Sequence, residues 1–89
     1  MRAVITVIGQ DKIGIIYEVS RILAENNINI LDISQTIMQD MFTMIMLVNT
    51  EKCSKTFKEI SDTLAALGDK LGLSIRIQHE DIFNSMHRI

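Results

Sequence analysis

The apolar positions of this chain change their period several times, and each change marks an element. Ala3-Val4-Ile5-Thr6-Val7-Ile8 is a short β-branched run stopped by Gly9, the mark of a strand covered on at least one face. From Ile15 the apolar residues fall at Ile15, Ile16, Val19, Ile22 and Leu23, one face of a helix with Glu18, Arg21 and Glu25 turned outward. Asn26-Asn27 ends it, since asparagine tolerates a left-handed residue at a helix C-terminus. Ile28 to Met38 is extended in character, and after Gln39-Asp40 the run Phe42 to Val48 is apolar on both faces apart from Thr43. Together these read as a hairpin, although its turn lacks the Asn-Gly signal.

A second helical period follows at Phe57, Ile60, Leu64, Leu67 and Leu71. Ser54 or Thr56 can cap its start, the latter with Glu59 as a capping box, and Gly72 stops it. Leu73, Ile75 and Ile77 then alternate with Ser74, Arg76 and Gln78, giving a strand with one buried and one wet face. The tail from Glu80 carries Ile82, Phe83, Met86 and Ile89 at helical spacing, with acids at its front and His87-Arg88 at its rear to suit the helix dipole. A helix that short holds only by docking on its own domain or on a partner.

The order β-α-β-β-α-β with right-handed crossovers predicts an α+β ferredoxin-like sandwich, with antiparallel strand order 4-1-3-2 and a short C-terminal helix. Both long helices fall on one face. Residues 1–79 form the domain, and 80–89 are its helical extension. The other sheet face has only the tail to cover it, yet Ile45 and Leu47 make that side of the fourth apolar run greasy. Such a patch marks association, so a homo-oligomer, most simply a dimer, is expected. The candidate interface comprises Ser34, Gln35 and Thr36 on the edge strand, which needs a partner or protection, together with Met44 and Met46.

Composition narrows the function classes. Eighty-nine residues suffice for one compact domain. The core is aliphatic, with three Phe, one Tyr, no Trp and six Met as fillers. Nine basic against eleven acidic residues, without a run of either sign, leave no nucleic-acid footprint, and no stretch reaches membrane-spanning length. A single cysteine, Cys53, allows no internal disulfide and suits a reducing cytosol. His79 and His87 lack neighbours at metal-ligand spacing, so neither a metal nor a cofactor is expected. Base stacking on the open sheet would need aromatic residues that the first strand lacks. An acylphosphatase-like phosphate loop would need an arginine where only Lys12 stands, so catalysis is not expected.

The candidate chemistry lies in the loop between the first strand and first helix. Its first helical N–H groups lack partners and meet the positive end of the dipole, which favours a carboxylate. Asp11 can cap the helix or attract an ammonium group, and Gly14 either admits a close ligand or serves helix packing. Asn29, at the head of the second strand, offers a donor and an acceptor and is expected beside this loop. A small zwitterion would satisfy these groups.

The pattern Gly9-x-Asp11-x-x-Gly14-Ile15, then Asn27-x-Asn29-Ile30-x-Asp32-Ile33 entering a hairpin, resembles the ACT domain over nearly the whole chain. More narrowly, DISQTIMQDMFTMIMLV and the tail IFNSMHRI are similar to small bacterial stand-alone ACT proteins and to the ACT repeats of the glycine-cleavage transcriptional repressor. The resemblance implies a non-enzymatic regulatory module that binds an amino acid or similar small metabolite at an interface between paired domains, acting through a partner enzyme or regulator. Its effector positions fall on Asp11, Gly14 and Asn29, with Lys12, Ile13, Ile15 and Ile30 beside them. Asp11 carries a charge where the family commonly has Asn, and Ile13 stands where Pro is common. The competing expectation is an interaction or oligomerisation module that takes no ligand.

Overall fold

A computed structural model describes residues 1–86 of the chain. The elements run β1 (Arg2–Gln10), α1 (Ile15–Glu25), β2 (Asn29–Met38), β3 (Met41–Asn49), α2 (Phe57–Leu71), β4 (Leu73–His79) and α3 (Glu80–Met86). The sheet order is β2-β3-β1-β4, all neighbours antiparallel, which is the ferredoxin-like order read from the other edge. The parts of the tail reading that concern His87, Arg88 and Ile89 lie outside the described residues.

Strand alternation decides the layers. Ala3, Ile5 and Val7 of β1, Phe42, Met44, Met46 and Val48 of β3, and Leu73, Ile75 and Ile77 of β4 all face one side. They form a single core with Ile15, Val19, Ile22 and Leu23 of α1 and Ile60, Leu64 and Leu67 of α2. Met44 and Met46 are therefore not interface residues, contrary to expectation: both are fully buried beneath the helices. The apolar run in β3 shows that both faces are greasy but cannot say which one the helices take.

Local chemistry explains the boundaries. Thr56 is the N-cap of α2, accepting from the Glu59 amide while the Glu59 carboxylate accepts from the Thr56 amide, and Gly72 closes the helix at its C-terminus. Asn26 and Asn27 end α1, the latter with φ 58°. The β2–β3 turn has two residues, Gln39 (φ 49°) and Asp40 (φ 69°), both left-handed as a type I′ turn demands. Asp40 tolerates that conformation better than most side chains, but Gln39 does not, and it costs an ordinary side chain about 1–2 kcal/mol. Replacing Gln39-Asp40 by Asn-Gly is therefore expected to stabilise the fold by about 1 kcal/mol, a rise in Tm of roughly 4–8 °C. Thermal unfolding followed by circular dichroism checks this, and an unchanged Tm refutes it.

β2 forms a free edge, exposed along its whole length except at Ile30, and its ladder slips between Ile30 and Asp32. The opposite sheet face is covered in part by α3, which packs against β1 and β4 and is tied by an Arg2–Glu80 ion pair at 3.0 Å.

Candidate functional site

The loop after β1 is held from two directions. The Asp11 amide donates to the Asp40 carbonyl at 2.7 Å, fastening the loop to the β2–β3 turn. Lys12 Nζ donates to the Leu71 carbonyl at 2.7 Å, so its charge sits at the negative end of α2. Ile13 projects fully into solvent, whereas the side chain of Ile15 is buried in the core, leaving only its backbone at the loop.

Gly14 is the N-cap of α1, with φ 90° and ψ 3° and no side-chain cap. This corrects the reading of Asp11 as the cap. It also settles why glycine stands there, because a Cβ at this position would meet nothing within 4 Å. The requirement is the left-handed backbone rather than space for packing. An uncapped first turn leaves amide donors facing outward, and the Asp11 carboxylate lies three residues before them. An anion acceptor and a cation acceptor thus share one short loop.

Asn29 does not stand beside that loop. Its cross-strand partner is Asn49, whose partner on β1 is Arg2, whereas the loop leaves from Gln10 at the other end of the same sheet. Eight residue steps of about 3.3 Å separate Arg2 from Gln10, roughly 26 Å. The crossover causes this: α1 returns the chain to the end from which β1 started, so β2 begins there. Around Asn29 the structure forms a polar cleft of about 480 Å³ lined by Asn27, Asn29, Asn49, Glu51 and Lys52. Ile30, next to it, is half-buried on the helix-facing side opposite Val48.

Several exposed apolar residues escape a motif-based reading. On β2, Ile33 (41% exposed) and Ile37 (57%) lie opposite the buried Met46 and Phe42, so they point to the helix side but extend past its cover. On α1, Ile16 and Tyr17 are also exposed, the latter at 66%. Tyr17 falls outside the stripe of Ile15, Val19, Ile22 and Leu23, whereas Ile16, read from the sequence as part of that stripe, is in fact 41% exposed. Ser34, Gln35 and Thr36 lie exposed along the same free edge.

Elsewhere, His79 stacks on Phe57 with ring centroids 4.2 Å apart, and the Cys53 thiol, half-buried, donates weakly to the Lys55 carbonyl at 3.7 Å. Among the described residues no cluster of three His, Cys, Asp or Glu side chains could hold a metal, and no helix is long and apolar enough to cross a membrane.

The β-α-β-β-α-β order, the sheet order β2-β3-β1-β4 and both long helices on one face define a ferredoxin-like α+β domain with an open edge strand. The family model of the ACT domain matches residues 2–78, and the chain belongs to that family. It is 61% identical over 87 residues to a UPF0237 protein of Neisseria meningitidis, covering 98% of this chain and 97% of that one. The fold superposes with a TM-score of 0.82 on an ACT domain protein from Streptococcus pneumoniae, at 41% identity and 93% coverage of both chains. A protein described as a glycine cleavage system transcriptional repressor is similar at TM-score 0.74 and 28% identity, over 86% of this chain and 44% of that one.

Proposed function

We propose that this protein is a non-catalytic, amino-acid-responsive regulatory domain. It works as a homodimer paired edge to edge through β2, with each ligand held between the loop of one copy and Asn29 of the other. The observation that carries this reading is the separation of the loop from Asn29 within one chain. A two-fold antiparallel pairing of β2 with the same strand of a second copy reverses one sheet against the other, and so removes that separation.

Register supports the same arrangement. Centred on Gln35, the pairing sets Ile33 opposite the partner's Ile37, so the exposed isoleucines of the two edges cover each other. It also carries Asn29 to the partner's β2–β3 turn end, about two residues beyond the level of the partner's Met41, because Asn29 pairs with Asn49 and Gln35 with Met44. Met41 pairs with Gln10, the residue before the loop. The ligand carboxylate then takes the free amides at the start of α1, the Asp11 carboxylate takes its ammonium group, and Asn29 bonds from across the seam.

A native-state binder at a hundredfold its Kd adds about 2.7 kcal/mol, so a true effector in a panel of amino acids should raise Tm by roughly 10 °C or more. Asp11→Ala and Asn29→Ala should each abolish that shift. Because each heterodimer of the two variants keeps one site with both residues intact, mixing and exchanging them should restore about a quarter of wild-type binding capacity. Restoration fails if the two residues serve the same copy. A panel that moves nothing overturns the sensor reading and leaves a module for assembly alone.

A further inference from the structure

The open sheet face holds a cavity distinct from the loop and from the β2 edge. Its floor is two cross-strand rows: Arg76, Thr6 and Ile45 in one, Ser74, Ile8 and Thr43 in the next. Phe83 of α3 forms a wall, and the cleft, open on one side, has a volume of about 540 Å³, within the range of small-molecule sites. The ACT family model stops at residue 78, whereas this cavity needs Phe83 beyond it. It is therefore built jointly by the sheet that the family model spans and by the helix that follows it.

The geometry points to a second ligand site here, one that takes a small carboxylate carrying an apolar body. The lining contains a guanidinium, hydroxyls and an amide but no Asp or Glu. No ion pair among the described residues involves Arg76, whereas Arg2, the other arginine near α3, is joined to Glu80. A guanidinium can hold a carboxylate through two parallel N–H bonds, and the hydroxyls of Thr6, its cross-strand neighbour, and of Ser74, two residues before it on β4, can donate to the same oxygens. Ile8 and Ile45 are partly exposed on the floor, and with the Phe83 ring they supply an apolar bed next to that anchor. A bare anion would leave the bed wet, and a neutral amphiphile would gain nothing from the exposed guanidinium. Only a molecule with both parts satisfies the whole lining.

Titration calorimetry of the full chain with octanoate and phenylacetate, beside octanol and inorganic phosphate, tests this. Saturable binding of the two carboxylates is expected, with octanol and phosphate each at least tenfold weaker. Arg76→Met should weaken octanoate at least tenfold, Arg76→Lys less, and Phe83→Ala should also weaken it, with each variant's fold verified by circular dichroism. The inference is overturned if neither carboxylate saturates, if phosphate binds as well as octanoate, or if Arg76→Met leaves the affinity unchanged. It is equally overturned if Ile45→Glu splits a native oligomer, because the face then belongs to a second copy. None of these results depends on Asp11 or Asn29.

Discussion

Replacing Gly68 by valine is expected to cost about 3 kcal/mol, lowering Tm by roughly 12–24 °C. Gly68 lies in α2 on the face that rests on β4. A Cβ built there comes within 2.6 Å of the Leu73 carbonyl oxygen and 3.4 Å of the Ile75 amide nitrogen. Those atoms are backbone, and β4 is locked to β1 by its hydrogen-bonded ladder, so no rotamer change can make room. Helix propensity works the other way, because glycine in a helix interior is about 1 kcal/mol worse than alanine, but valine recovers little of that. The collision wins. Gly9 is crowded differently, since its nearest obstacle is the tip of the Leu73 side chain, with the Leu73 Cα behind it at 3.3 Å. Denaturant unfolding of Gly68→Val checks the prediction, and a midpoint within error of wild type refutes it.

Charging the β2 edge should have the other large effect. The double change Ile33→Lys and Ile37→Lys is expected to weaken dimer formation at least a hundredfold, about 2.8 kcal/mol. Burying an isoleucine is worth roughly 1.5–3 kcal/mol, and the proposed pairing buries four of them further across the seam. Lysines at those positions also stand opposite each other in the two-fold register and repel. The isolated fold should survive, because both side chains are already exposed on the single chain, and lysine is a natural guard on open strand edges. Sedimentation equilibrium decides between monomer and dimer at micromolar concentration. A double variant that associates as tightly as wild type would place the interface elsewhere.

Element order, the helix-facing stripes and the Thr56–Glu59 capping box were legible in the sequence because each depends on residues only a few positions apart. What escaped depends on three-dimensional placement. Alternation in β3 could not reveal that Met44 and Met46 lie under the helices, because both of its faces are apolar. Asn29 was misplaced although the crossover rule contains the answer: a helix running back along the sheet delivers the next strand to the starting end. The uncapped turn at Gly14 was hidden because Asp11 has the right chemistry for a cap, but a left-handed glycine stands between it and the helix. The turn at Gln39-Asp40 was legible, but the left-handed conformation of both its residues was not, because Gln39 carries no mark of it. In the candidate site, the loop residues were visible as a motif. Ile33, Ile37, Ile16 and Tyr17 were not, because single exposed apolar residues are common and carry no motif.

β1 lies in the middle of the sheet, between β3 and β4. A chain emerging from the ribosome makes this strand first, yet neither of its neighbours exists until much later, and one of them is the last strand of all. The earliest-made apolar segment must therefore wait, unpaired, for the latest. Nascent chains should consequently remain open to chaperones and proteases through most of this domain's synthesis, and collapse in one concerted step once β4 is free.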